Sequence, residues 1–535
     1  MKTLAQIILS VVMFSCFNSL QAQVAPAIEW QKCLGGGGNE AAFSVQQTTD
    51  GGFITAGFSD LNGGDVTGNH GSDDYWIMKL DSASNLLWEK SLGGNSIDDA
   101  NSIMQTSDGG FIVAGRSYST NDDVSGNHGS DDYWIVKLSS DGNIEWKKCF
   151  GGSGEDEANC IRQTADGGYI VAGGSDSTSG DVTGNHGMWD YWVVKLDIDG
   201  GLQWEQSFGG SQDDVAYSAQ QATDGGYVIA GYSQSSDGDV SGNNGDRDYW
   251  VVKTDTGGNI VWEKVLGGSS IDEAHSIQQL SDGGFIVAGY AASIDGDVSG
   301  NHGGYDYWMV KLDSAANAIW KYCFGGMQND QPFSVQQTTD GGFIVVGQSG
   351  SNNGDVSGNH GGYDFWMLKL DKEANLEWQK SLGGSNDEYG PYGVQQTTDG
   401  GFIVAGATLS NNDDVSGNHG GASYGDCWVV KLASDLPTGS VLLSKNFFTL
   451  SPNPVQTKLE IKLTTPPNEM TVQVYDLQGR IMRLPISDSP PFAAQGQLPT
   501  SSIQINTTSL ADGFYTVQIT NSKTGEREAG KFMKQ

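Results

Sequence analysis

The sequence predicts an all-β chain: a seven-bladed β-propeller over residues 24–432, followed by a small β-sandwich over 447–535. Three observations carry that reading. First, a phrase of the form I-x-W-x-K-x-L-G-G recurs every 58 residues from Trp30 to Trp378. Second, each repeat contains short apolar runs separated by Gly-rich turns. The 77 Gly among 535 residues suit such turns and not helices, where an interior Gly costs about 1 kcal/mol. Third, the order of phrases is circularly permuted: the chain opens on the last phrase of the repeat and ends its final repeat without one.

Taken in order, residues 1–22 read as a secretory signal peptide. Lys2 precedes an apolar run from Leu4 to Phe17, and Ala22 stands before the expected cut. No later run reaches the ~18 apolar residues of a membrane-spanning helix, so no transmembrane segment is expected.

Each repeat then supplies four strands. In the first they are A (around Ser44 to Thr48), B (Gly52 to Gly57), C (Asp74 to Leu80) and D (Leu86 to Leu92). The Asp-Gly-Gly between A and B suits a tight hairpin. Strand C is apolar on both faces, with Trp76, Met78 and Leu80 on one and Tyr75 and Ile77 on the other. A sheet apolar on both sides must be covered on both sides, as in blades packed around an axis. The N-terminal D strand, Ile28 to Leu34, precedes every A, B or C strand, and the last A-B-C set ends at Leu432 with no D strand after it. The count balances if the first strand completes the last blade and closes a ring. Equal C–D loop lengths then place Cys427 opposite Cys33, as either a cross-strand disulfide or two buried thiols. The remaining cysteines are scattered and form no disulfide framework.

Residues 433–446 read as a linker, and the alternating runs from 447 onward as the strands of the sandwich. The formal charge of −37 argues against nucleic acid or an anionic membrane as partner, since both require cationic surface. The acidic excess lies in the propeller, because acids and bases nearly balance after residue 446.

The C-terminal segment carries Ser451-Pro452-Asn453-Pro454, then Val474-Tyr475-Asp476-Leu477-Gln478-Gly479-Arg480. Leu510 to Tyr515 (with Gly513) and the terminal Lys531-Phe532-Met533-Lys534-Gln535 follow. These pieces, in this order, resemble the type A C-terminal sorting domain of proteins exported by the type IX secretion system of Bacteroidota, over about 85 residues. The resemblance implies Sec export, passage through the outer membrane by the type IX machinery as partner, and release or attachment at the cell surface. The propeller repeats also resemble D-G-G-F-I-V-A-G repeats of secreted proteins from that phylum, which bears on fold and little on function.

Chemistry is sought on the face where B–C and D–A loops emerge. Its B–C loops read G-D-V-S-G-N-H-G, with His70, His128, His186, His302, His360 and His419, and should form an acidic rim. Oxygen ligands such as Asp237, Asp239 and Asn243, or Asp295, Asp297 and Asn301, could hold Ca²⁺; a His/Asp ring could instead take a transition metal, although groups at one phase on different blades diverge radially. Residues repeated in every blade serve equally to fold their own loops. Departures from the repeat point elsewhere. The position two before the strand-C aromatic is Asp73 and Asp131, then Trp189, Arg247, Tyr305 and Tyr363, and an insertion adds Tyr424. Such aromatics could stack on a glycan or cap a peptide, or simply cover blade edges. The expected function is binding or adhesion toward an extracellular glycan or protein. The alternative is a polysaccharide-acting hydrolase or lyase on the same face. The regularity of the repeats offers no catalytic constellation, and His275, the one His outside the B–C loops, reads as structural.

Overall fold

The computed structural model describes residues 25–421 and 424–434, together with strands and adjoining residues between 448 and 534. The chain divides into two units, 1–435 and 436–535. The expected signal peptide (1–22) and most of the expected linker lie outside the described residues.

The first unit is the seven-bladed propeller. Among the described residues it holds seven four-stranded antiparallel sheets, each ordered A-B-C-D. In blade one these strands are Glu40–Gln47, Phe53–Ser59, Asp74–Leu80 and Leu86–Leu92. Blade seven combines Glu388–Gln396, Phe402–Thr408 and Asp426–Leu432 with the N-terminal strand Ile28–Leu34. The ring closure read from the phrase order is therefore observed.

The repeated residues explain how blades hold together. Strand C is buried on both faces, as its sequence requires. Tyr75 packs its ring on Trp134 of blade two, 4.5 Å between centroids, and donates its hydroxyl to the Trp134 carbonyl at 2.8 Å. Tyr133, Tyr191, Tyr249 and Tyr307 repeat that bond to the next blade. In blade six Phe365 keeps the ring contact with Trp428 at 5.0 Å. Because Tyr133 is wholly buried, Tyr133→Phe leaves the Trp192 carbonyl without this donor. The expected loss is about 1 kcal/mol in denaturant unfolding.

The S-V-Q-Q phrase forms a belt around the axis. Gln46 accepts from the Gln105 backbone N–H of the next blade at 2.7 Å, and Gln395 closes the circle onto Gln47 at 2.6 Å. The Asp of Asp-Gly-Gly receives the Gly52 N–H and the ammonium of Lys79, whose side chain crosses the buried end of strand C. Gly51, between them, adopts φ 84°, a left-handed conformation that favours Gly.

One sequence expectation is corrected. A bulge in strand D shifts the C–D register by one, so that Cys33 pairs with Trp428 and Leu34 with Cys427. Cys33 packs with Trp428, Phe402 and Val415 on one face, and Cys427 with Leu34 and Trp76 on the other. Both thiols are free. A one-residue slip sends side chains to opposite faces, which excludes the disulfide. Where the extra residue is Glu, as Glu29 here and Glu145 in blade two, it reaches the buried Lys431 or Lys137; the same bulge carries Leu87 in blade one and Val261 in blade four.

The second unit contains two four-stranded antiparallel sheets. One includes Lys458–Leu463 and Ser502–Asn506, the other Met470–Tyr475, Gly513–Asn521 and Arg527–Lys534. Leu459 and Ile505 of the first and Val474 of the second are buried, as the inner faces of a sandwich require. Of the sorting motif, Tyr475, Gly513, Tyr515, Lys531 and Lys534 lie on strands. Pro452, Asn453, Pro454, Asp476, Gly479 and Arg480 lie outside the described residues.

Candidate functional site

In each strand A the register against strand B slips once, between Ala42 and Ser44 in blade one. The bulged residue, Phe43, is turned toward the axis. Its counterparts are Asn101, Asn159, Tyr217, His275, Phe333 and Tyr392, and all seven line one central cavity of about 520 Å³. A wider mouth of about 890 Å³ continues toward the B–C and D–A loops, past Asn39, Asp60 and Gly425. Both volumes fall in the range of small-molecule sites. The ring of strands is nearly sevenfold, but the side chains at its centre are not.

One side of the cavity is aromatic. The His275 ring stacks on Tyr217 (4.4 Å, 13° between planes) and meets Tyr290 and Phe333 at 5.3 Å each. Phe333 packs on Tyr392 at 4.3 Å, and Tyr392 meets Phe43 at 5.4 Å. Burial holds the His275 imidazole down at about 4, against the opposing pull of Glu273. The ring is therefore neutral at pH 7, and its Nε2 has no hydrogen-bond partner among the described residues.

The other side is polar. Arg116 donates to Asp99 at 2.8 Å and lies 3.5 Å from Glu157. Asn101 donates to Glu157 at 3.2 Å, and Arg162 to Ser102 at 3.1 Å. Burial, reinforced by Asp99, pushes the Asp73 carboxyl up to about 6. Burial and Glu157 push Asp131 up to about 7 against the opposing charge of Arg116. The site thus offers a stacking wall opposite a wall of amides, carboxylates and guanidinium groups.

Of the five departures read from the sequence, Arg247 lines the mouth. It pairs with Glu273 at 2.5 Å and lies over Tyr232 at 4.5 Å. Tyr305 meets Tyr290 edge-on behind the mouth, 4.8 Å between centroids. Trp189 covers Gly174, Tyr363 lies beside Gly350, and Tyr424 is exposed at the blade-seven insertion. The structure therefore brings Arg247 to this cavity, sets Tyr305 behind its Tyr290 wall and spreads the others along the loops. His275, read as structural, is at its centre.

The B–C loop residues are engaged locally. Asp237 accepts the Ser211 N–H and Asp295 the Ser269 N–H, each at 2.8 Å. Asp239 accepts from Gly209 at 3.4 Å, and Asp297 takes Lys321 at 2.6 Å. Asn243 and Asn301 donate to the Ser233 and Ala291 carbonyls, each at 2.8 Å. The loop histidines turn inward, His70 onto Asp74 at 2.8 Å and His302 onto Asp306 at 2.6 Å. No group of three or more His, Cys, Asp or Glu is gathered for a metal among the described residues.

Residues 449–535 match the family described as Secretion system C-terminal sorting domain. The chain carries a type IX sorting domain. That domain marks it for export, followed by secretion or attachment at the cell surface. No helix among the described residues is long and apolar enough to cross a membrane. A stretch of 208 residues is 28% identical to the regulatory protein FlaEY of Caulobacter vibrioides, covering 36% of this chain and 21% of that protein. The match therefore spans about a fifth of that relative's length.

Proposed function

We propose that this sorted propeller is a binding protein whose ligand, a glycan end or branch, enters the axial cavity from the B–C loop face. The observation that carries this reading is the asymmetry of seven equivalent positions. Where construction alone would repeat one residue, the bulge holds Phe43, Asn101, Asn159, Tyr217, His275, Phe333 and Tyr392. A sugar ring presents apolar C–H faces and a rim of hydroxyls. Aromatic rings receive the former, and amides, carboxylates and Arg the latter. Arg116 and Glu157 hold each other in place, so part of the polar wall is preorganised before any ligand arrives.

The test is a glycan-array screen of the full chain followed by calorimetry on the hits. Tyr217→Ala and Asn101→Ala, from opposite walls, are each expected to weaken binding by at least about tenfold, the scale of 1.4 kcal/mol. Trp189→Ala and Tyr424→Ala, both on the loops, should bind as the parent does. Loss of binding in the loop variants with the cavity variants unaffected moves the site to the rim.

A further inference from the structure

Every blade boundary repeats a second constellation, away from the axis. At the first, Asp74 opens strand C of blade one and Asp98 opens strand A of blade two, both fully buried. Asp98 is surrounded by donors: the Gly94 N–H and the Ser119 hydroxyl reach its Oδ2 at 2.8 Å each, and the Ser117 hydroxyl reaches Oδ1. Donors of this kind favour the ionised form, against a burial that pushes the carboxyl up to about 6. Asp74 uses only Oδ2, which accepts the backbone N–H and Nδ1 of His70 at 2.8 Å each. Its Oδ1 is buried and has no partner among the described residues.

The same orphan oxygen recurs on the strand-C Asp of all seven blades, from Asp74 to Asp426. It faces a cradle. A Cβ on Gly93 would lie 2.6 Å from both Asp74 Oδ1 and Asp98 Oδ2. At the third boundary a Cβ on Gly209 would lie 2.6 Å from Asp190 Oδ1 and from Asp214 Oδ2. Any side chain here would fill the space that the two carboxylates share. This gives the Gly after strand D in the repeated phrase a role beyond turning the chain.

We propose that each blade boundary binds one hard cation, calcium in an extracellular setting, between the strand-C Asp and the strand-A carboxylate of the next blade. Two carboxylates confined together out of water repel strongly unless a positive charge joins them. Paired carboxylate oxygens are the donor type calcium takes, with backbone or water oxygens completing its shell. The loop imidazole, which would favour a transition metal, is turned from the cradle: the His spends Nδ1 on the far oxygen of the same Asp. Boundary four sharpens the case. There Asn244 replaces the His, and Asp248 Oδ2 receives only the Asn244 backbone N–H at 2.8 Å. No imidazole N–H is available to share that carboxylate, so this boundary depends most on the cation.

The test uses the full chain, stripped with EDTA and then titrated with CaCl₂, MgCl₂ or NaCl while metal content and thermal unfolding are followed. Calcium is expected to be retained at about one ion per blade boundary and to raise Tm by about 5 °C or more. Asp248→Asn keeps the size and the backbone hydrogen bond, and should remove one ion and reduce the calcium-induced rise. Asp239→Asn, in the B–C loop of the same blade, should leave the stoichiometry unchanged. Absence of retained metal together with a Tm indifferent to all three salts overturns the proposal. So does a calcium response abolished by Asp239→Asn and untouched by Asp248→Asn, which places the ion in the loops.

Discussion

Deleting residues 25–34 is expected to abolish the cooperative unfolding transition of the propeller. This strand contributes the outer edge of blade seven and pairs along Asp426–Leu432. Without it, the face of Trp428, now packed by Cys33, is open to water, and Leu34 no longer covers Cys427 and Trp76. The loss also removes the strand that ties the N-terminus to the last blade. Each blade's core is shared with the next, so thinning blade seven weakens its packing on blade one as well. Burial of even one Trp-sized side chain is worth several kcal/mol, which is comparable to the whole stability of a typical domain. The decisive control is a permutant with residues 28–34 moved behind Leu432 through a five-residue turn copied from Ser139 to Asn143. It keeps every strand pairing but makes the closing strand local in sequence. Calorimetry should recover a cooperative transition in the permutant and not in the deletion. A deletion that unfolds at the parental Tm would mean that closure contributes nothing to stability.

The permutant also isolates the kinetic cost of closure. The native pairing of Trp30 with Lys431 spans nearly the whole propeller, and such contacts form slowly because their loop entropy is paid before they stabilise. Refolding of the permutant should be faster than that of the parent at similar stability, as read by stopped-flow Trp fluorescence.

The architecture was legible because it rests on counting. Repeats at constant spacing, strand C apolar on both faces, and an unmatched D strand at the start of the ring facing an A-B-C set without one at its end are properties of the sequence alone. The disulfide was misread because register is a local geometric property. A bulge that delivers Glu29 to Lys431 shifts every later pair by one, and no composition or spacing signals it. The cavity was missed for a related reason. The sequence pattern starts strand A near Ser44, one residue beyond the bulge, which leaves Phe43 and its counterparts outside the expected strands. They nevertheless form a column that varies between blades, four residue types flanked by the near-constant Ala and Ser. In a repeat protein such a column marks where symmetry is given up, and hence where one ligand can be distinguished. The loop departures were more conspicuous in the sequence, yet Trp189 mainly covers a Gly of its own blade.

Acid should dismantle a different part of the structure, the Lys–Asp contacts at the far end of each blade. Lys195 is buried, and its ammonium meets Asp166 at 2.9 Å, Leu196 carbonyl at 2.9 Å and Gln203 at 3.1 Å. Burial alone would raise the Asp166 carboxyl, but the Thr164 hydroxyl, Lys195 and the Gly168 N–H outweigh it and hold it down at about 2. Asp50 and Asp108 are held at about 2 by the same set of donors. A carboxyl whose folded pKa lies below its unfolded value contributes stability that is fully present above about pH 4. That contribution is lost as pH falls through about 2. At pH 7, Asp166→Asn removes the charge that faces a buried ammonium. Asp166 is half-exposed and screened by water, which brings the expected cost below that of a fully buried pair, to about 2 kcal/mol. The difference in Tm between parent and Asp166→Asn should therefore be full from pH 5 to 7, shrink below pH 4 and vanish by about pH 2. A difference that persists unchanged at pH 2 would show that Asp166 acts through its hydrogen bonds to Thr164 and Gly168, which a neutral amide can partly retain, and not through its charge.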